Sequence, residues 1–212
     1  MKLVLIRHGM TLGNEKKRYI GITDEDLSEQ GKVQVGKLQE QLLLDGITEE
    51  TGKKMYVVVS PMKRCKQTAE LLNLWKNEDE SEDRNIEMAV DDRLRECDFG
   101  LFENKNYLEL KEEPLYQKWI DSNGTMDFPE GDNIVKWKER CVQAFSFHVK
   151  KAEEQGCEQI VFVIHGGSIM AIMERFDEEG KGYYDYHVEN AAGYLCQVKN
   201  MRICCKRKIR GW

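Results

Sequence analysis

The stretch Leu3-Val4-Leu5-Ile6-Arg7-His8-Gly9 decides the fold on which the rest of the sequence builds. Four consecutive large aliphatic residues are typical of a strand buried on both faces, as strands of parallel sheets are. Arg7 and His8 follow at once, and both side chains can bind an anion. Because ligands of open α/β sheets bind just beyond the carboxyl ends of the strands, we expect Arg7 and His8 to lie in a ligand site.

Two further apolar runs end in the same way. Tyr56–Val59 is followed by the polar stretch Ser60–Arg64, and Gln159–Ile164 is followed by His165–Ser168. Strands of a parallel sheet share one carboxyl edge, so two histidines and two arginines are expected to converge there.

The segments between these runs predict helices. Ser28 is expected to be the N-cap of a helix that ends near Leu44, with Leu38 and Leu42 on its buried face. Ser60 is expected to cap, and Pro61 to open, a second helix that holds Arg64 in its first turn and reaches Trp75. A third, amphipathic helix ending at Gly156 is predicted by apolar or aromatic residues at intervals of three and four: Ile134, Trp137, Cys141, Phe145, His148 and Ala152.

The predicted elements alternate as in an α/β fold. Ile86–Val90 is predicted to be a strand, residues 77–84 an acidic, solvated loop, residues 168–175 a helix, and residues 194–198 and 201–205 a terminal hairpin. Residues 101–132 are predicted to form short helices inserted between the main units as a lid. We therefore expect one α/β domain over residues 1–212.

Composition excludes several classes of protein. The chain has 212 residues, 41% of them hydrophobic, 33% charged, and a net charge of −6. An acidic chain is a poor nucleic-acid or membrane-surface binder, and no run approaches the ~18 apolar residues of a membrane span. Seven cysteines without a framework spacing indicate a reducing compartment, so a cytoplasmic location is expected. The absence of a CxxC pair argues against a zinc site.

The converging side chains suit phosphate chemistry. Arginine pairs with phosphate oxygens in a bidentate manner, and the helix start at Gly166–Gly167 offers backbone N–H groups to an anion. A neutral imidazole can in addition attack phosphorus. Such a reaction needs a carboxylic acid to protonate the leaving oxygen. Glu96 is the best candidate; the competitors that spacing leaves open are Asp91, Asp92, Asp98 and Glu103.

Other polar residues have simpler interpretations. His148 lies on the apolar face of a helix and is expected to belong to the core or its boundary, whereas His187 stays undecided. Cys65, Cys97 and Cys141 are expected to be packed and inert. The basic tail, Arg202 to Arg210, is expected to be a solvated sheet edge guarded by charge rather than a binding site for an anionic partner.

These residues resemble the histidine phosphatase superfamily, the phosphoglycerate mutase-like proteins, over nearly the whole chain. Four blocks carry the resemblance: Arg7-His8-Gly9 with Thr11 and Asn14, Tyr19-x-Gly21 with Asp24-x-x-Leu27-x-x-x-Gly31-x-x-Gln34, Ser60-Pro61-x-x-Arg64-x-x-Gln67-Thr68-Ala69, and Ile164-His165-Gly166-Gly167. Within the superfamily, the α-ribazole phosphatase branch is the most similar, through the spacing from Thr11 to Asp24 and through Phe128-Pro129-x-Gly131.

The resemblance implies a three-layer α/β/α sandwich with a mostly parallel sheet and no metal or other cofactor. It implies that His8 is phosphorylated during the reaction, and that Arg7, Arg64 and His165 hold the phosphoryl group. Glu96 would be the proton donor and then the base. Asn14, Gly21 and the backbone of Gly166 would help to bind the substrate.

The expected function is therefore hydrolysis of a small phosphorylated metabolite. Met10, Phe102 and Asp132-Asn133 depart from the residues usual in the family, which bears on the substrate rather than on the chemistry. A cofactor-dependent phosphoglycerate mutase is the first alternative, although the segment after Glu96 lacks the longer basic block typical of those mutases. A non-catalytic phosphate-binding regulatory protein is the second; it would need no nucleophile.

Overall fold

The computed structural model describes residues 1–47, 53–74 and 86–211. Its strands are β1 (Lys2–Arg7), β2 (Met55–Val59), β3 (Ile86–Val90), β4 (Gln159–Ile164), β5 (Ala192–Lys199) and β6 (Arg202–Arg210). Its α-helices are α1 (Leu12–Glu15), α2 (Glu29–Leu44), α3 (Lys63–Leu71), α4 (Tyr107–Leu110), α5 (Pro114–Asp121), α6 (Ile134–Glu154) and α7 (Gly166–Phe176). Short 3₁₀ helices span Asp92–Leu94, Gly100–Phe102 and Tyr183–Tyr186.

The described strands form one mixed sheet in the order β3-β2-β4-β1-β5-β6. β1, β2, β3 and β4 are parallel to their neighbours among these four, whereas β5 and β6 are antiparallel additions at one side. The prediction of a mostly parallel sheet is confirmed. The second hairpin strand runs five residues beyond the predicted Cys205, because β6 pairs with β5 as far as Arg210.

Helices cover both faces of the sheet. The aliphatic run of β1 is continuous because its side chains are buried on both of these faces. Leu3 and Leu5 belong to the core cluster that contains residues of α6 and α7. Val4 and Ile6 belong to a second cluster, on the other face, that contains residues of α2 and α3. Both faces of the central strands are therefore buried, and the predicted three-layer α/β/α sandwich is confirmed.

Two predicted helices have different boundaries in the structure. α2 begins after Ser28, whose side chain accepts the N–H of Gly31, as predicted. In contrast, α3 begins at Lys63 with Met62 at its N-cap, so the prediction that Ser60 caps the helix and Pro61 opens it is wrong. The physical reason is that the Ser60 hydroxyl is engaged elsewhere, 2.8 Å from Nε2 of His165. α7 starts two residues before the predicted Ser168.

Some predictions lie outside the described residues or concern motion. Trp75, the expected end of the second helix, and the acidic loop 77–84 fall outside the described ranges; α3 itself ends at Leu71. Residues 101–132 contain α4 and α5, and Phe102, Tyr116 and Phe128 from this segment share a third apolar cluster with Trp137 of α6. That this insertion moves as a lid stays a prediction.

The basic tail lies at the edge of the sheet, as expected. β6 is an outermost strand, and its arginine and lysine side chains are exposed. One of them, Arg207, pairs with Asp45 at the end of α2. None of the helices in the described ranges combines the length and the apolar character that crossing a bilayer requires.

The buried face of α2 can be tested with two leucines of the same helix. Leu42 is fully buried, whereas the side chain of Leu44 is 85% exposed. Leu42→Ala is expected to reduce the free energy of unfolding by about 2–5 kcal/mol, because it leaves a cavity in the core. Leu44→Ala is expected to change it by less than about 0.5 kcal/mol. Urea denaturation of both variants measures the difference, and equal effects would contradict the packing of α2 described above.

Candidate active site

The carboxyl ends of three parallel strands meet at one point of the sheet. The backbone N–H of His8, directly after β1, donates to the Ile164 carbonyl at 3.0 Å, and that of Ser60, directly after β2, donates to Val163 at 3.1 Å. The rings of His8 and His165 are consequently close, with centroids 5.2 Å apart and planes at 67°. The predicted convergence of the two histidines is therefore present in the structure.

A cavity of about 540 Å³ opens at this edge. Of the eight residues predicted to form the site, five line it: Arg7, His8, Asn14, Glu96 and Gly166. His165, Arg64 and Gly21 are buried behind these residues instead. The volume suits a small-molecule ligand.

The hydrogen bonding of His8 fixes which ring nitrogen can react. Its Nδ1 lies 2.7 Å from the carbonyl oxygen of Gly9. A carbonyl can only accept, so Nδ1 carries the hydrogen and Nε2 keeps its lone pair. Burial, together with the charges of Arg64 and Arg7, holds the pKa of His8 well below its ordinary value. The imidazole is therefore neutral near pH 7, as a nucleophile must be.

His165 is held behind His8 by Ser60. Its Nε2 lies 2.8 Å from the Ser60 hydroxyl, and the sulfur of Cys65 lies 3.6 Å from the same nitrogen. Burial and the charge of Arg64 lower the pKa of His165 well below the ordinary range. Ser60 thus orients a site histidine, a role that its position before a helix did not suggest.

Arg7 lies against the start of α7. Its Nη1 donates to the Val188 carbonyl at 2.8 Å, and its buried Nε has no hydrogen-bond partner among the described residues. A Cβ placed on Gly166 would lie 3.2 Å from that Nε. The guanidinium and the first N–H groups of α7 therefore converge, which makes this end of the cavity suited to an anion.

Arg64 is fully buried and does not line the cavity. Its Nη1 donates to the Thr23 carbonyl at 2.8 Å and its Nη2 to that of Gly21 at 2.9 Å, while Nε has no partner among the described residues. The carbonyls hold the guanidinium without neutralising it. Its positive charge therefore acts on both histidines, whose pKa values it lowers.

Glu96 lines the cavity beside the first residues of α7. Its Oε1 accepts the backbone N–H of Cys97 at 3.0 Å, and a Cβ on Gly167 would lie only 2.8 Å from the same oxygen. The carboxyl group therefore abuts the start of α7. Burial raises the pKa of Glu96, although the N–H of Cys97 and the charges of Arg64 and Arg7 oppose the shift. A raised pKa favours the protonated form that a proton donor requires.

The competing carboxylates are engaged elsewhere, and none of them lines the cavity. Asp91 forms a bidentate pair with Arg93, in which Nε donates to Oδ1 and Nη2 to Oδ2, and Asp92 pairs with Arg95. Asp98 accepts the N–H of Gly100. The structure therefore favours Glu96 over these carboxylates as the candidate proton donor.

Glu103, the fourth alternative candidate for the proton donor, binds the backbone of Gly21. The Gly21 N–H donates to the Glu103 carboxylate at 2.9 Å, so it is not available to a ligand. A Cβ on Gly21 would lie 1.8 Å from the Cys97 carbonyl oxygen, which means that only glycine lets this loop pass the backbone beside Glu96. The structure therefore gives Gly21 a packing role and does not bring it to the cavity.

Asn14 is oriented by a residue that the sequence did not reveal. Its Oδ1 accepts from Nδ2 of Asn190 at 3.1 Å and from the N–H of Thr11 at 3.3 Å. The amide NH₂ of Asn14 is consequently the group left to donate to a ligand. Asn190 stands 176 positions away and belongs to no motif, so only the folded chain brings it here.

The two remaining histidines have different positions. His148 is buried away from the cavity, with Nδ1 2.9 Å from the Tyr56 hydroxyl and Nε2 2.8 Å from Asp91. Its prediction as a core residue is confirmed. His187, which stayed undecided, lines the cavity. Within the described ranges, no group of three or more His, Cys, Asp or Glu side chains is arranged to hold a metal ion.

The chain is similar to a family of known proteins and to several solved structures. The model of the histidine phosphatase superfamily (branch 1) matches residues 3–207. The chain is 29% identical over 178 residues to a broad-specificity phosphatase of Saccharomyces cerevisiae, covering 82% of this chain and 69% of that protein. It is 29% identical over 153 residues to phosphoserine phosphatase 1 of Hydrogenobacter thermophilus, covering 71% and 65%. Among solved structures, the α-ribazole phosphatase of Shigella flexneri shares the fold, with a TM-score of 0.73 at 20% identity over 100% and 96% of the two chains.

The lowered pKa of His8 has a consequence for stability. An unfolded histidine takes up a proton as the pH falls below about 6.5, whereas the folded His8 does not, so acid favours unfolding. Between pH 7 and pH 5.5 the wild type is expected to lose on the order of 1 kcal/mol more free energy of unfolding than His8→Gln. Urea denaturation at both pH values measures this, with Leu44→Ala as the control that changes no titratable group. An equal loss in the wild type and in His8→Gln would contradict the assigned burial of a neutral His8.

Proposed function

This chain belongs to the histidine phosphatase superfamily, and from that premise we propose that it hydrolyses the monoester of a small phosphorylated metabolite through a phosphohistidine intermediate. One observation carries the proposal. His8 is neutral, its Nδ1–H is held by the Gly9 carbonyl, and its Nε2 keeps a lone pair at the anion-binding end of a cavity. A group that merely binds phosphate needs no such nucleophile, which argues against a non-catalytic binding protein.

In the first step the Nε2 lone pair of His8 attacks phosphorus. The P–N bond forms as the P–O bond to the leaving group breaks, and the bonding electrons pass to the leaving oxygen. Glu96 donates its proton to that oxygen, which leaves as a neutral alcohol. The raised pKa of Glu96 supports this role, because the carboxyl group must hold a proton when the substrate binds.

In the second step water replaces the histidine. The Glu96 carboxylate, now without its proton, removes a proton from a water molecule whose oxygen attacks phosphorus. The P–N bond breaks, and its electrons return to Nε2 of His8. Inorganic phosphate leaves, and Glu96 is protonated again for the next turnover.

We propose that the protein's own cations replace a metal ion in this reaction. The Arg7 guanidinium and the first N–H groups of α7 face the site of the phosphoryl oxygens, and the charge of Arg64 lies close behind the histidines. Such fixed donors stabilise the charge that develops in the transition state. Activity is therefore expected with a chelator present and no added metal.

Phosphatases and probable phosphoglycerate mutases both occur among the similar proteins, so it is the absence of the longer basic block after Glu96 that favours hydrolysis over transfer. A broad-specificity phosphatase and a phosphoserine phosphatase are among the similar proteins, and the Phe128-Pro129-x-Gly131 motif supports an α-ribazole phosphatase-like reaction. A phosphoglycerate mutase would instead keep the phosphate on an organic product and require a bisphosphate primer. Release of inorganic phosphate without a primer distinguishes the two.

We also propose that the protein works in the cytoplasm. All seven cysteines are free thiols. Even Cys196 and Cys205, which face each other across β5 and β6, are not bonded. Free thiols in such positions suit a reducing compartment.

The proton donor can be tested by comparing leaving groups. An alkoxide leaves poorly unless it is protonated, whereas nitrophenolate needs a proton far less. Glu96→Gln is therefore expected to slow turnover of ethyl phosphate by about 10²–10⁴-fold. With 4-nitrophenyl phosphate, the variant should release a burst of one nitrophenolate per active site, because His8 is phosphorylated but water is no longer activated. Stopped-flow absorbance and phosphate release, both with a chelator present, measure the two effects.

Two controls make the result specific. His8→Ala is expected to abolish turnover of both esters, because both reactions need the nucleophile. Asp98→Asn, which changes a neighbouring carboxylate outside the cavity, is expected to behave like the wild type. If Asp98→Asn showed the leaving-group pattern and Glu96→Gln did not, the proton donor would be misassigned. Turnover by His8→Ala within a few-fold of the wild type would refute the proposed function itself.

A further inference from the structure

Much of the cavity lining beyond the reacting groups is aromatic. Tyr19, Phe99, Trp119 and Phe128 all line the cavity and contact one another. The ring centroids of Tyr19 and Phe99 are 5.3 Å apart, those of Phe99 and Phe128 are 5.0 Å apart, and those of Trp119 and Phe128 are 5.3 Å apart. We call these four residues the aromatic wall. Ring faces and edges of this kind bind other flat apolar groups well.

The cations in this part of the lining are already paired. Apart from Arg7 at the phosphate end, the described lysine and arginine residues that line the cavity are Arg18 and Lys138. Arg18 pairs with Glu109 at 3.1 Å. Lys138 pairs with Glu174 at 2.7 Å, and its ammonium group lies 3.9 Å from the centre of the Tyr183 ring. An anionic group of a substrate would therefore compete with Glu109 or Glu174 for these cations, although Nε of Arg18 has no partner among the described residues.

His187, which lines the cavity and lies near Arg7, adds no charge. Burial, and after it the charge of Arg7, lowers the pKa of His187, so this imidazole is neutral near pH 7. Glu174 lines the cavity itself and would repel a carboxylate. A substrate anion outside the phosphate end would therefore exchange its hydration mainly for neutral donors, such as the indole N–H groups of Trp119 and Trp137, which have no partner in the part of the chain that the structure describes.

We propose that the substrate is a phosphate monoester of an uncharged alcohol that carries an aromatic ring, and that the aromatic wall binds this ring. The inference rests on the proposed function, which places the phosphate at Arg7 and His8. The aromatic wall and the ion pairs of Arg18 and Lys138 then select the alcohol. They favour an alcohol with a flat apolar group and disfavour an alcohol with a carboxylate, such as the glycerate of phosphoglycerate or the serine of phosphoserine.

Two esters with similar leaving groups test the first half of this inference. 2-Phenylethyl phosphate and ethyl phosphate both release a primary alkoxide, so the chemical step is nearly the same and the difference reports binding of the ring. We expect kcat/KM to be at least about tenfold higher for 2-phenylethyl phosphate, mainly through a lower KM, since that is what burial of small apolar groups in a pocket supplies. 3-Phosphoglycerate is expected to be no better a substrate than ethyl phosphate.

Variants test which residues are responsible. Trp119→Ala is expected to reduce the ratio of the two kcat/KM values toward one. Leu108→Ala is the control on the same insertion, because Leu108 is 72% exposed and outside the cavity lining. Glu174→Gln removes the carboxylate from Lys138, so activity toward 3-phosphoglycerate is expected to rise relative to ethyl phosphate. Glu139→Gln, on the exposed surface of α6, is the control for that change of charge.

The outcomes separate this inference from the function on which it rests. If ethyl phosphate is hydrolysed as efficiently as 2-phenylethyl phosphate, or 3-phosphoglycerate is the best of the three, the inference is wrong and the phosphomonoesterase assignment stands. A ratio that is unchanged in Trp119→Ala would likewise overturn the role of the aromatic wall. If the wild type and His8→Ala release equally little phosphate from every ester, the proposed function and the inference both fail.

Discussion

The parallel pairing of β1 with β4 is the constraint on which the site depends. The register Arg7↔Ile164 places both strand ends at the same height, and the backbone hydrogen bond from His8 to Ile164 continues the ladder by one residue. As a result, His8 and His165 leave the sheet side by side although they are 157 positions apart in sequence. A shift of one residue in this register would turn the side chains after each strand to opposite faces. Such a shift would also move Lys2 or Arg7, at the ends of β1, toward the apolar interior, which costs free energy.

The same burial gives these side chains their chemistry. Two imidazoles beside two guanidinium groups would repel one another if all four were protonated. In the folded chain desolvation and the arginine charges leave both imidazoles neutral, while burial keeps the Glu96 carboxyl protonated more readily than a free one. The fold therefore favours a neutral nucleophile and raises the pKa of the proton donor.

The sheet and most of the residues at its edge could be predicted because short stretches of sequence identify them. Four-residue aliphatic runs mark buried strands, and the residue after each run must lie at the sheet edge. The residues that orient the site were harder to predict. The position of Ser60 before a helix predicts a helix cap, whereas in the structure its hydroxyl lies beside His165. Asn190 contacts Asn14 only because the chain is folded. Gly21 matches a substrate-binding motif, yet its N–H is bound to Glu103, a contact that no sequence spacing indicates.

Covalent phosphorylation of His8 at Nε2 is the step on which the proposed function depends. Rapid quenching of the protein with ³²P-labelled 4-nitrophenyl phosphate, followed by peptide mapping, tests it most directly. The account predicts label on His8 that is labile in acid and stable in base, in amounts approaching one phosphoryl group per active site when Glu96→Gln is used to slow its hydrolysis. Label on another residue, or turnover without any labelled protein in that variant, would contradict it.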